Sequence, residues 1–206
     1  MTSKMSALET SPEARFAACD SHFSLYKMTG DEEHLHAMFR LLDLDGDNRA
    51  SKGEIRRYYS SRETESRAEQ MTRTVFALAD TDGDGTLDEG EFVTWCKQFA
   101  TFEFGEVDTS QPGIATEVAE LDRILTRYQS TSNPKHLESV FRLIDLNHDG
   151  FISRSELRSS VLCKCFQSPD FAAAFLMELG DTNSDGVMSA KEFVELMTGC
   201  MAGLTS

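Results

Sequence analysis

Residues 80–91 read DTDGDGTLDEGE. Carboxylates occupy the first, third, fifth, ninth and twelfth places, as Asp80, Asp82, Asp84, Asp88 and Glu91. Gly85 takes the sixth place and Leu87 the eighth. So many like charges in twelve residues repel one another unless a cation sits among them. A glycine at the sixth place lets the chain turn through positive φ, bringing the flanking oxygens together.

The pattern recurs. DLDGDNRASKGE fills 43–54, DLNHDGFISRSE fills 145–156 and DTNSDGVMSAKE fills 181–192. Every copy has Asp at place 1, Asp or Asn at 3, Asp at 5 and Glu at 12. Helical sequence flanks each copy. In these residues the chain resembles the EF-hand superfamily and its calmodulin-like members.

The resemblance implies Ca²⁺ in up to four loops, with Mg²⁺ as a competitor for the same oxygens. It assigns side-chain oxygens at places 1, 3 and 5, a backbone carbonyl at 7, a water-mediated contact at 9 and both oxygens of Glu at 12. The implied ligands are Asp43, Asp45, Asp47, Arg49 and Glu54 in loop one, and Asp80, Asp82, Asp84, Thr86 and Glu91 in loop two. Loop three offers Asp145, Asn147, Asp149, Phe151 and Glu156, and loop four Asp181, Asn183, Asp185, Val187 and Glu192.

Loop one departs from the pattern twice. Asn48 stands at place 6, and Asn enters the left-handed region at modest cost. Ala50 stands at place 8, where loops of a pair meet in a short antiparallel bridge. There Ala50 faces Leu87, whereas Ile152 faces Met188. The smaller pair buries fewer methylenes, so loop one is expected to bind with a looser fit. The Arg49 charge is expected to oppose binding in loop one slightly.

Loops one and two are separated by room for two helices, as are loops three and four, while the middle gap is much longer. The halves are copies: HLHAMFRLLDLDGD from His34 lies over HLESVFRLIDLNHD from His136. Further back, Phe16, Cys19, Phe23 and Tyr26 lie over Val118, Leu121, Leu125 and Tyr128, which is one face of a helix. The expected fold is all-α, with two lobes, each a pair of EF-hands preceded by an extra helix. The N-terminal lobe spans 1–100 with its extra helix at 12–28, opened by Ser11-Pro12-Glu13. A linker spans 101–114, with Phe102 and Phe104 poised to pack on something. The C-terminal lobe spans 115–206 with its extra helix at 115–129. Leu157 and Val161 are read on the helix leaving loop three.

The net charge of −15 disfavours nucleic acid and anionic membranes as direct partners. No apolar stretch is long enough to cross a bilayer, and MTSKMSALETSPEAR lacks a signal peptide's apolar run, so a cytoplasmic location and no membrane insertion are expected. Five cysteines at irregular spacing read as reduced thiols. His34 and His36 point apart on a helix and make a poor metal pair, and His148 is read as facing solvent. No nucleophile, phosphate loop or zinc motif is visible, so no enzymatic activity is expected.

The resemblance leaves three roles open. A sensor would expose an apolar groove for an amphipathic target helix on Ca²⁺ binding. A buffer would bind with closed lobes, and a regulatory subunit would serve one fixed partner. Met177, Met188, Met197 and Met201 cluster near the fourth loop and suit an adaptable binding surface, which favours the sensor.

Overall fold

The computed structural model describes residues 11–102 and 113–203. The first ten residues, 103–112 of the expected linker with Phe104, and the side chain of Met201 lie outside the described residues. The chain forms two compact units, Met1–Ala100 and Thr101–Ser206. Eleven helices and two tiny sheets make up the described residues, so the all-α expectation holds.

Unit 1 runs α1 (Pro12–Thr29), α2 (Glu33–Leu42), β1 (Ala50–Ser51), α3 (Lys52–Ser60), α4 (Glu65–Ala79), β2 (Thr86–Leu87) and α5 (Glu89–Ala100). Ser11 starts α1: its hydroxyl accepts the Ala14 N–H at 3.2 Å, and Pro12 follows in the first turn. Gly30, at φ 72°, ends it. The helix is one residue longer than the 12–28 expected.

Helix α1 lies along α2 and reaches α3 as well. Phe16 and Cys19 are buried, and Phe16 meets Tyr58 edge-on, with ring centres 5.8 Å apart. The Arg15 guanidinium donates to the carbonyls of Arg40 at 3.0 Å and Asp43 at 3.1 Å, at the end of α2. Tyr58 of α3 donates its hydroxyl to Asp20 at 2.8 Å. Arg62, just past α3, pairs with Asp20 and donates to the Phe16 carbonyl at 2.7 Å. Half-buried Phe23 packs against Phe99 and, with Met38, Leu42, Ile55, Tyr59 and Trp95, lines a cavity of about 100 Å³.

Unit 2 runs α6 (Ile114–Thr131), α7 (Lys135–Ile144), β3 (Phe151–Ser153), α8 (Arg154–Ser159), α9 (Val161–Lys164), α10 (Pro169–Gly180), β4 (Val187–Ser189) and α11 (Ala190–Gly203). Helix α6 begins one residue before the expected 115 and ends two beyond 129, burying Ile114, Leu121, Ile124 and Tyr128. Phe102 belongs to this unit. It stacks on Phe166 at 4.4 Å between ring centres and packs against Phe175 at 4.9 Å, inside what composition marked as linker.

One helix differs from its expected form. Leu157 and Val161 do not share a helix, because Ser160 interrupts it in an extended conformation. The Ser160 hydroxyl donates back to the Leu157 carbonyl at 2.6 Å and accepts the Cys163 N–H at 3.4 Å, so it closes α8 and caps α9. Serine competes with the helical backbone in this way. Tyr58, the matching residue in unit 1, has no such side chain, and α3 continues past it.

The two sheets tie the loops in pairs. Ala50 lies opposite Leu87 and Ile152 opposite Met188, in the expected register. All four side chains are fully buried. The second bridge is three residues long, the first only two.

Candidate metal centre

Each loop hangs between an entering and an exiting helix. The place-1 residues Asp43, Asp80, Asp145 and Asp181 are the C-caps of α2, α4, α7 and α10. Each accepts the N–H of the place-6 residue, at 2.9 Å from Asn48, 3.0 Å from Gly85, 3.1 Å from Gly150 and 2.8 Å from Gly186. Each place-12 Glu closes the other end. One of its oxygens accepts the place-2 N–H, at 2.6 Å from Leu44, 2.8 Å from Thr81, 3.1 Å from Leu146 and 3.1 Å from Thr182. The other accepts the place-9 N–H, at 2.8 Å from Ser51, 3.1 Å from Asp88, 2.9 Å from Ser153 and 3.0 Å from Ser189. Loop amides thus orient the carboxylates from behind.

Two places per loop turn left-handed, not one. Besides place 6, place 4 has positive φ in all four: Gly46, Gly83, His148 and Ser184. Loop one puts glycine at 4 and Asn48 at 6, loops three and four do the reverse, and loop two has glycine at both. Every loop therefore keeps at least one glycine where an L side chain is strained. Gly85→Ala is expected to cost unit 1 about 1–2 kcal/mol, although the added methyl would meet nothing within 4 Å. Thermal melts of the calcium-free protein check this.

The EF-hand domain pair family matches residues 32–97 and 134–198. The chain belongs to the EF-hand family. Among curated relatives, this EF-hand chain is 38% identical over 63 residues to calcium-binding protein CML38 of Arabidopsis thaliana, covering 31% of this chain and 36% of that one. It is 32% identical over 68 residues to parvalbumin alpha of Callorhinchus milii, covering 32% of this chain and 62% of that one. It is also 40% identical over 60 residues to polcalcin Cup a 4 of Hesperocyparis arizonica, covering 29% of this chain and 36% of that one. The matches therefore span only part of each relative.

Calcium is the ion these domains bind, and the donor set fits it. In loops one and two the carboxylates of Asp43, Asp45 and Asp47, and of Asp80, Asp82 and Asp84, bring oxygens within 4.8 Å of one another. In loops three and four Asn147 and Asn183 supply place 3, and each amide donates to the place-5 Asp at 2.9 Å. Asp43, Glu54, Asp145, Glu156 and Glu192 are all buried. Among the described residues none of these five pairs with Lys or Arg, and buried carboxylates without a counter-charge are rare. Around Asp45, the Asp47 N–H favours the ionised form, but lost hydration and the charges of Asp47, Glu54 and Asp43 outweigh it and raise its pKa. That repulsion is what a divalent cation would relieve.

Arg49 departs from its sequence reading, and the place-9 side chains take on a second task. Arg49 does not turn its charge on its own loop: its guanidinium donates to Asp84 of loop two at 2.6 Å and to the Thr86 hydroxyl at 3.3 Å. It braces the neighbouring loop instead. The place-9 side chains cap the exiting helices. Ser51 and Ser153 form capping boxes with Glu54 and Glu156, and Asp88 and Ser189 accept the N–H of Glu91 and Glu192. The S-x-x-E and D-x-x-E spacings carried that signal.

Burial works against the charge of Glu192. Donors from Ser189 and Thr182 outweigh it and hold its pKa at about 2, below the ordinary 4.5. A carboxyl so depressed adds stability above its unfolded pKa, and that stability is lost as pH falls through the folded value. Calcium-free unit 2 is expected to weaken progressively from pH 4.5 towards 2. Circular dichroism melts at stepped pH check this.

Proposed function

We propose that this calcium-binding protein is a sensor in which α1 guards the apolar cleft of unit 1. Asp43, Asp45, Asp47, Glu54 and the Arg49 carbonyl would hold an ion in loop one. Asp80, Asp82, Asp84, Glu91 and the Thr86 carbonyl would do so in loop two. Asp145, Asn147, Asp149, Glu156 and the Phe151 carbonyl serve loop three, and Asp181, Asn183, Asp185, Glu192 and the Val187 carbonyl loop four. When bound, a calcium ion would supply positive charge between the place-1 and place-12 carboxylates, which stand at the end of the entering helix and the start of the exiting one.

The observation that carries this reading is the placement of α1. Its bonds reach the end of α2 through Arg15 and the end of α3 through Asp20. A change in the angle between α2 and α3 strains both attachments. Phe23 meanwhile lies in the cleft that a target's amphipathic helix would enter. In this reading the protein acts by binding and has no catalytic step of its own. It works in the cytoplasm and does not insert into membranes, and no described helix is long and apolar enough to cross one.

Three of the four methionines read as favouring a sensor belong to the core. Met177, Met188 and Met197 are 6%, 0% and 6% exposed, as core residues are. Their burial favours the second reading, a buffer whose lobes stay shut. An environment-sensitive dye separates the two. A sensor binds more dye in Ca²⁺ than in chelator, and equal binding removes the sensor reading. Strong Mg²⁺ competition would point to the buffer.

A further inference from the structure

We infer that His22 and His34 form a proton-sharing clasp that fastens α1 to α2 and opens when both rings are protonated. Their Nδ1 atoms lie 3.2 Å apart, and both rings are half-buried at the α1–α2 contact. At that separation one nitrogen carries the proton and the other accepts it.

The ring placement separates a shared proton from a shared metal. The ring centres are 5.5 Å apart. That is roughly the nitrogen gap plus about 1.2 Å from each nitrogen to its own ring centre, so the rings meet head-on. Two imidazoles converging on one ion at about 2.0–2.1 Å, with the same nitrogen gap, would bring their centres to about 5 Å.

None of the described charged groups around the pair contacts either ring. Around the pair, α1 carries Glu13, Arg15, Asp20 and Lys27, and α2 carries Glu33, His36 and Arg40. Asp31 and Glu32 lie in the turn between them, α5 carries Glu89, Glu91 and Lys97, and Arg62 follows α3. Asp20 pairs with Arg62, Glu32 with Lys97, Glu33 with Arg40 and His36 with Glu89. Arg15 is held by backbone carbonyls, Asp31 caps the Glu33 N–H, and Lys27 lies over the Phe23 ring. Among the described residues none of them hydrogen-bonds or ion-pairs with either ring. Imidazoles gain their charge between about pH 8 and 5. A second proton therefore sets two like charges face to face, a repulsion of about tenfold in the docking equilibrium even at the dielectric of water.

The inference concerns the docking of α1 and holds whether the lobes sense or buffer. The full chain in chelator is followed by amide hydrogen exchange between about pH 8 and 5.5, corrected for intrinsic rates. Residues 114–131 of α6 serve as the internal reference. Protection of residues 12–29 is expected to fall by about tenfold more than that of α6. The double variant H22Q/H34Q, which cannot take up the charges, is expected to show no such excess loss. H22E gives His34 a carboxylate partner and reverses the sign, so α1 tightens as the pH falls. A flat wild-type profile overturns the clasp. So does the same excess loss in H22Q/H34Q, or a wild-type-like fall in H22E.

Discussion

Glu192→Gln is expected to lower calcium affinity at loop four by more than about a hundredfold, since even residues that merely orient ligands cost 10–100-fold. The same change loosens calcium-free unit 2. One Glu192 oxygen accepts the Thr182 N–H and hydroxyl at 3.1 and 2.9 Å, and the other the Ser189 N–H and hydroxyl at 3.0 and 2.8 Å. Glutamine replaces one oxygen with a donor, so one set of donors faces another. A buried mismatch of this kind costs about 1–3 kcal/mol. Loop three feels it too, because Met188 pairs with Ile152 across the bridge. Calorimetric titration should find one site lost and a second weakened. Glu195→Gln, at an exposed place on the same helix, should change neither. A wild-type titration for Glu192→Gln would remove Glu192 from the ligand set.

Phe16→Ala is expected to cost about 3–5 kcal/mol, the usual range for removing a buried aromatic ring. Phe16 is 3% exposed and wedged against Tyr58, so its loss falls on the contact that seats α1. The variant should bind more of an environment-sensitive dye in chelator than the wild type does. Trp95 reports the same event, since it stacks on Phe99, which Phe23 in turn covers. Its emission should shift to the red. Met28, at 81% exposure on the same helix, is the control, and Met28→Ala should stay within about 0.5 kcal/mol. Unchanged dye binding in Phe16→Ala would show that α1 does not guard the cleft.

The repeats made most of the fold legible. Four loops at fixed spacing, apolar helix faces and Ser-Pro starts pointed to the helices flanking each loop and to the bridge partners Ala50–Leu87 and Ile152–Met188. Local patterns could not give what depends on the third dimension. Place 4 turns left-handed in every loop, yet Ser184 gives no sign of positive φ and His148 only a weak one. Ser160 reads as one more helical residue until its hydroxyl finds the Leu157 carbonyl. In the sequence His34 lies beside His36, while its partner in space is His22 on another helix. Arg49 reached past its own loop for the same reason: a long side chain at the edge of a bridge meets the opposite strand.

The break at Ser160 gives the two units different mechanical reach. Helix α3 runs nine residues and α8 only six. At about 1.5 Å per residue these are arms of roughly 14 and 9 Å. For one angular swing at the loop, the far end of the longer arm travels about half as far again. In the proposed sensor, unit 1 would therefore turn ion occupancy into the larger stroke, ending at Tyr58 and Arg62, where α1 is tied.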